Sequence, residues 1–176
     1  GPQGDLIERE MKKVWDTEFE NLDEYLGCKY TFSNNNRRCH ITQVAYTQAL
    51  LGQYDMLEAH PARTPWPSGT TTISKDDCPE KVNHEISSKY ASLLGALLWL
   101  ARNTKPELSF YISLQASVAA KPGEKHWELL LHILRYLKHT MHEGIVFDAD
   151  CARPHIHSFA DANWNSLKLE GSLSMG

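Results

Sequence analysis

The chain has 176 residues, 41% hydrophobic residues and a formal net charge of −4, values that are ordinary for a globular protein. This length is sufficient to bury an apolar core without disulfides or metal ions. No apolar run approaches the roughly 18 residues that a membrane span needs, and the N-terminus lacks the basic and apolar segments of a secretory signal. The composition therefore excludes intrinsically disordered, collagen-like and membrane-spanning proteins.

Charge and cysteine are unevenly distributed. Residues 5–24 carry eight acids against three bases, whereas residues 121–142 carry four bases, two acids and four histidines. Because the net charge provides no global attraction for nucleic acid, any such contact is expected in the second segment.

The four cysteines lie at wide spacings without a CxxC pair. This spacing favours reduced structural thiols in an intracellular protein over a zinc site or a disulfide framework.

The N-terminal half predicts two helices on either side of a hairpin. Apolar residues at helical spacing predict a helix over residues 5–16. Residues 25–41 predict a β-hairpin, because aromatic residues precede a turn that contains three asparagines. Thr42 is a candidate N-cap for a helix that reaches Tyr54. Four prolines in residues 59–80 then predict a long irregular connector.

Three further helices are the clearest elements of the sequence. Residues 90–98 carry an apolar stripe at helical spacing. Thr104 and Glu107 form a candidate capping box for the next helix, which extends to about residue 120. The third helix covers residues 123–140, and its expected buried residues are Trp127, Leu130, Leu131, Leu134 and Leu137. The pattern then becomes extended and predicts two short strands within residues 145–160.

Known catalytic motifs are missing, so only isolated features remain. No phosphate-binding loop, dinucleotide-binding glycine motif or zinc-protease motif occurs. Of the histidines in the third helix, His126, His132, His139 and His142, only the last two have the spacing of a helical metal pair. A basic face that contacts phosphate, or a merely solvated face, is favoured over a metal site. Asp161 in a strand could present a carboxylate to Mg²⁺, but phosphoryl-transfer chemistry needs several converging carboxylates. The alternative is a surface aspartate.

Five sequence blocks follow one another along the chain. They are NLDEYLGCKY (residues 21–30), RTPWPSG (63–69), YASLLGALLWLARNTKPEL (90–108), PGEKHWELLLHILRYLKHT (122–140) and SFADANW (158–164). In this order they resemble the Pol polyprotein of copia-type LTR retrotransposons, in the stretch that follows the metal-binding aspartate pair of the reverse transcriptase. The resemblance covers roughly residues 6–176.

The elements and the resemblance together predict an α+β fold, a mainly helical bundle with an N-terminal β-hairpin and a short C-terminal β segment. The resemblance implies four parts: a palm-remnant helix and primer-grip-like hairpin (1–41), a thumb-like helix and Pro-rich connector (42–85), a three-helix thumb- or connection-like bundle (86–143) and a truncated RNase H-like β segment (144–176). Tyr25, Leu26 and Gly27 lie where the primer grip of the family holds the primer 3′ end.

From the resemblance we expect no polymerase or nuclease activity of the chain alone, although enzymatic activity as such stays open. The polymerase carboxylates of the family are absent, and Asp161 matches only the first metal-binding aspartate of the nuclease. The second aspartate of that block is Asn163 here. Asp161 is thus a vestigial catalytic candidate, and we expect no metal and no cofactor, with Mg²⁺ relevant only if the nuclease-like site were completed.

Two functions stay open. In the first, the chain is a non-catalytic fragment of Pol that positions a template–primer such as an RNA–DNA hybrid. Its phosphate contacts would come from Lys105, Lys121, Lys125, Arg135 and Lys138. In the second, a domesticated retroelement remnant binds a protein partner or itself through exposed apolar faces. Glu124, Glu128 and Glu143 dilute the basic face, which favours the second function for the isolated chain. No membrane partner is expected, and the sequence does not distinguish nucleus from cytoplasm.

Overall fold

The computed structural model describes residues 2–18, 22–70, 72–81 and 83–149. The fold is α+β, as predicted. The helices are α1 (Pro2–Lys12), α2 (Val44–Gln53), α3 (His84–Asn103), α4 (Ser109–Ser117) and α5 (Glu124–His139), with short 3₁₀ turns at Lys75–Asp77 and Pro106–Leu108. The strands are β1 (Glu24–Tyr25), β2 (Cys28–Ser33), β3 (Arg38–Thr42) and β4 (Ile145–Asp148).

Helices α2 to α5 and the connector between α2 and α3, residues 54–83, form a helical body with one apolar core. Leucines of α3 and α5 are fully buried against one another: Leu93, Leu97, Leu100, Leu130, Leu134 and Leu137. The Tyr90 hydroxyl also enters this core and lies 2.7 Å from the Gln115 side-chain oxygen. Because every buried polar group needs a partner, this bond fixes the pairing of α3 with α4. The amphipathic stripes predicted from the sequence are therefore the packing faces of the body.

The connector packs into the body despite its irregular backbone. Trp66 and Ile73 are buried, and the Trp66 ring lies 5.3 Å from the ring of Tyr111 on α4. Near the start of α5, Gly123 lies against the Asp77 carbonyl group, and a Cβ atom at this position would collide with that oxygen. Glycine is needed here because the two backbone segments approach so closely. A long connector inside a compact body thus gains its order from buried anchors.

A four-stranded antiparallel sheet lies beside the body, with the strand order β1-β2-β3-β4. Strands β2 and β3 form the predicted hairpin, in which Tyr30 pairs with Ile41. Strand β4 returns from α5 and pairs with β3, so that Ile41 also faces Ile145. The C-terminal β segment therefore extends the sheet of the N-terminal hairpin. The predicted second strand and Asp161 lie outside the described residues.

Two predicted helix caps are wrong. Thr42 is the last residue of β3, and α2 begins after Gln43 without a side-chain cap. The Thr104 hydroxyl donates to the Gln43 side chain at 2.7 Å instead of capping the next helix. Both side chains are buried, so a tertiary hydrogen bond has replaced the local cap. Helix α1 also ends at Lys12, before the predicted end near residue 16.

Candidate nucleic-acid interface

The hairpin tip, Tyr25, Leu26 and Gly27, is the tight connection between β1 and β2. Tyr25 pairs with Cys28, which leaves Leu26 and Gly27 as a two-residue turn with φ angles of +50° and +71°. Turns of this kind match the twist of the strands, but a leucine in the left-handed region is strained. Tyr25 and Leu26 are 59% and 62% exposed. The tip therefore presents an aromatic ring and an aliphatic side chain to solvent.

Two cations of α5 that were predicted to contact phosphate hold the connector instead. The Arg135 Nε donates to the His60 carbonyl oxygen at 2.6 Å. The Lys138 Nζ donates to the Ala59 carbonyl oxygen at 3.0 Å and also contacts the carbonyl oxygen of Leu57. These bonds satisfy backbone acceptors of the connector. The connector engages only the Nε of Arg135 and two N–H groups of Lys138, and these particular donors can contact a phosphate only after releasing the connector.

Histidines of α5 continue this arrangement toward the N-terminus of the helix. His126 is buried, accepts a hydrogen bond from the Gly123 backbone N–H at its Nδ1, and places its Nε2 3.0 Å from the Ser74 carbonyl oxygen. Since Nδ1 accepts, Nε2 carries the proton and donates. His132 places its Nε2 3.1 Å from the Thr64 carbonyl oxygen. Burial and the neighbouring Arg135 lower the pKa of His132.

The contacts follow an antiparallel order along the helix. Residue 126 of α5 contacts residue 74 of the connector, and residue 132 contacts residue 64. Further along the helix, residue 135 contacts residue 60, and residue 138 contacts residues 59 and 57. Sequence reasoning missed this interaction. The available signal was a Pro-rich segment, whose carbonyl groups need external donors, opposite a helix with polar donors at positions 125, 126, 132, 135 and 138.

Lys125 and Lys121 are the predicted phosphate contacts that remain exposed at the start of α5. The Lys125 Nζ lies 2.5 Å from a carboxylate oxygen of Asp77, and this hydrogen bond raises the pKa of Lys125. Lys121 precedes the helix and is also exposed. Glu124 and Glu128 are exposed on the same helix. The local field is therefore mixed in sign, as the sequence indicated.

Lys105 does not lie on the surface, contrary to the predicted phosphate contact. Its side chain is only 2% exposed, and its Nζ donates to the Thr140 carbonyl oxygen at 2.6 Å. Burial lowers the pKa of Lys105. The ammonium group lies at the C-terminus of α5, where the helix dipole favours a cation. Lys105 therefore joins α5 to the start of α4 and is inaccessible to a phosphate.

Other site chemistry is limited in the described part of the chain. Within it, no group of three or more histidine, cysteine, aspartate or glutamate side chains could hold a metal ion. Cys28 and Cys39 are free thiols, and burial raises the pKa of Cys28. None of the described helices is long and apolar enough to cross a membrane.

Comparison with known proteins shows that the sequence is similar to retroelement polyproteins. The chain is 27% identical over 143 residues to the retrovirus-related Pol polyprotein from transposon TNT 1-94 of Nicotiana tabacum, a match that covers 80% of this chain and 10% of the polyprotein. It is 30% identical over 149 residues to the corresponding polyprotein from transposon RE2 of Arabidopsis thaliana, which covers 84% of this chain and 10% of the polyprotein.

A third relative is not described as a transposon product. It is an uncharacterized mitochondrial protein of Arabidopsis thaliana, 26% identical over 124 residues, with 70% of this chain and 49% of that protein covered. No protein-family model matches the chain, and no solved structure matches it. The chain spans about a tenth of the length of the two Pol polyproteins. The resemblance is confirmed: this chain is homologous to a segment of copia-type, retrovirus-related Pol polyproteins from plant transposons.

Proposed function

We propose that the chain is a non-catalytic segment of a retroelement Pol that positions a template–primer through its hairpin tip. The observation that carries this proposal is the exposed pair of Tyr25 and Leu26 on a turn with two positive φ angles. Strained backbone persists where the surrounding structure holds it and is concentrated at functional sites. An aromatic ring at such a tip can stack on a nucleotide base regardless of its identity.

The charges around the tip favour stacking over a large electrostatic contact. Lys29 is exposed beside the tip, and its cross-strand neighbour on β1 is the acidic Glu24. Arg135 and Lys138 are occupied by connector carbonyl groups, and Lys105 is buried. Affinity for a duplex should therefore depend weakly on salt, with a slope of log K against log salt of about −1 to −2. A grip by four or more free cations would give a slope of about −3 or steeper.

Titration of the full chain with a fluorescent RNA–DNA hybrid at several salt concentrations tests the proposal. Tyr25→Ala should weaken binding about tenfold, since stacking on one base contributes about 1–3 kcal/mol. The matched control is Phe110→Ala, which removes an exposed aromatic side chain from α4. It should leave the affinity unchanged.

A second pair of variants separates the tip from the basic helix. Lys125→Ala and Lys121→Ala should each weaken binding by less than about twofold, because a single exposed cation contributes little in salt. Loss of binding in these two variants with full binding by Tyr25→Ala would contradict contact through the tip. Absence of any binding at low salt would contradict the proposal as a whole.

A second candidate function, a domesticated protein-interaction module, is favoured by a different surface. Helix α1 and the turn after it carry exposed apolar side chains, namely Leu6, Ile7, Val14 and Trp15. Clustered exposed apolar residues typically mark contact with another protein surface. This candidate needs no nucleic-acid chemistry and is compatible with the net negative charge of the chain.

A further inference from the structure

One face of the sheet is apolar throughout. In antiparallel strands, residues that face each other and residues two apart point to the same side. The register then assigns one face to Tyr25, Cys28, Tyr30, Phe32, Cys39, Ile41, Ile145 and Phe147. The other face is polar apart from Val146, and it carries Glu24, Lys29, Thr31, Ser33, Arg38, His40, Thr42 and Asp148.

This apolar face is covered at one end and open at the other. Cys28 is buried and Ile41 is half-buried. At the open end, Phe32, Cys39 and Phe147 form one cross-strand row, which we call the Phe147 row. Phe32 is 44% exposed and Phe147 is 59% exposed. An aromatic row of this kind is a surface that another apolar element can cover.

The complementary surface lies in the same chain. Ile7, Val14 and Trp15 fall on one side of α1 and the turn after it, and all three are exposed. Asp5, Arg9 and Lys12 lie on the opposite side of the helix. The apolar side of α1 and the Phe147 row are therefore both exposed within one copy, although each is suited to cover the other.

The two surfaces also differ in net charge. Residues 28–42, which form the hairpin β2–β3, contain three bases and no acid, whereas residues 5–18 contain five acids and three bases. Repulsion between like charges therefore penalises the pairing of two hairpins with each other. Lys29 and Arg38 lie on the polar face of the sheet, so the contact of α1 with the apolar face rests on apolar burial and not on ion pairs.

The available area is sufficient for a weak dimer. With about 200 Å² for a fully exposed aromatic side chain, Phe32, Phe147 and Trp15 leave about 300 Å² of apolar surface open. The aliphatic side chains of α1 roughly double this area, and two reciprocal contacts bring the buried surface to about 1,200 Å². This is the lower end of the range for specific interfaces.

We propose that two copies of this chain exchange α1 reciprocally, so that α1 of each copy packs on the Phe147 row of the other. This proposal rests on the second candidate function and names its partner. In the single copy, α1 leaves its apolar side chains in solvent, and reciprocal exchange covers both faces of both copies. The symmetry closes at two copies, so the assembly stops at the dimer.

Sedimentation of the full chain over a concentration series provides the first test. The average mass should rise toward that of a dimer between about 10 μM and about 1 mM, as an interface of this size predicts. Phe147→Ser should weaken association about tenfold per contact and about 100-fold for the dimer, because both contacts carry the substitution. Val146→Ser is the matched control, since Val146 is exposed on the same strand but on the polar face. It should dimerise normally.

Disulfide trapping provides the second test. Under mild oxidation, Ile7→Cys should form an intermolecular bond to Cys39 of the second copy, visible as a covalent dimer and located by peptide mapping. Residue 9 lies on the opposite side of α1, so Arg9→Cys should form no covalent dimer. A bond between position 7 and Cys39 within one chain would overturn the exchange, because α1 would then cover its own sheet.

The remaining outcomes separate this proposal from the functions above. Association that is insensitive to Phe147→Ser would overturn the proposed contact but leave a protein-interaction module in place. If the chain is a monomer at every concentration, the dimer is overturned, and the apolar faces do not mediate self-association. Neither result affects the hybrid titration, which depends on the hairpin tip at the other end of the same face.

Discussion

The helical body and the sheet with α1 both carry large apolar residues, but the body buries them and the sheet and α1 expose them. In the body, Leu97 of α3 and Leu134 of α5 are completely buried. In the sheet and α1, Phe147 and Ile7 are each 59% exposed. The body has satisfied its packing within the chain. The sheet and α1 have not, and their apolar faces are the surfaces at which we propose that another molecule binds.

The same difference applies to charge. On α5, Arg135 and Lys138 donate to carbonyl oxygens of the connector and thereby stabilise it. The hairpin tip carries little charge but exposes Tyr25 and Leu26. A basic helix is therefore not sufficient to identify a nucleic-acid interface, because the connector occupies several of its donors.

Truncation of the core should produce the largest effect. Leu97→Ala should lower the free energy of unfolding by about 2–5 kcal/mol, because it leaves a cavity in a site with no exposure. Phe32→Ala, in the sheet, should lower it by less than about 1 kcal/mol at low protein concentration. Urea unfolding followed by circular dichroism measures both. Equal losses would show that the sheet is packed as fully as the body.

Removal of one buried hydroxyl should have an intermediate effect. Burial raises the pKa of Tyr90, so the hydroxyl stays protonated and donates to Gln115. Tyr90→Phe leaves that acceptor unpaired and should reduce the free energy of unfolding by about 1–3 kcal/mol. Tyr25→Phe is the control at an exposed site and should cause no measurable change in the same denaturation assay.

Release of the connector should have a smaller effect on global stability but a local signature. Arg135→Met removes the donor to the His60 carbonyl oxygen and should lower the free energy of unfolding by roughly 1 kcal/mol. Limited proteolysis should then cleave the connector near residues 57–64 faster than in the original chain. Lys121→Met removes an exposed cation near the same helix and should leave the cleavage rate unchanged.

Protonation of His132 should give the smallest effect. Since its pKa is lowered in the folded chain, its contribution to stability is complete above the unfolded value of about 6.5 and is lost as the pH falls below it. The His132→Gln variant should therefore show a flatter fall in thermal midpoint between about pH 7.5 and 5.5. His139→Gln, at an exposed position, should retain the original slope. An unchanged slope in His132→Gln would contradict the burial of this imidazole.

Much of the fold was predictable, because helical periodicity reports burial directly. Tyr90, Leu93 and Leu97 are buried as their spacing predicts, and Leu130, Leu134 and Leu137 likewise. Leu98 is an exception at 40% exposed, while the unpredicted Leu100 is buried. The apolar stripe identifies which face of the helix is buried, but the packing of the neighbouring elements determines which residues at the edges of that face are buried. The wrong caps at Thr42 and Thr104 have the same origin, since a partner distant in sequence replaced the local bond.

The candidate site was less predictable, because charge in a sequence does not reveal its partner. The sequence predicts that Lys105 and Arg135 are surface cations. In the structure Lys105 is buried and donates to the Thr140 carbonyl oxygen, and Arg135 donates to the connector. Their acceptors are backbone carbonyl groups, which every residue carries and no sequence pattern marks. The resemblance singled out Tyr25, Leu26 and Gly27, but the predicted hairpin did not place a turn there, whereas the structure ends β1 at Tyr25 and turns at Leu26 and Gly27. Their nucleic-acid contact stays a prediction.

Hydrogen exchange of the backbone amides, measured at low and at high protein concentration, tests the central comparison most directly. We predict that α3 and α5 are the most protected elements at both concentrations, because they share one buried core. We also predict that α1 and the strands of the Phe147 row exchange rapidly in dilute solution and gain protection as the concentration rises. Protection of α1 equal to that of α3 in dilute solution would contradict the account, since its apolar face would then be covered within the single chain.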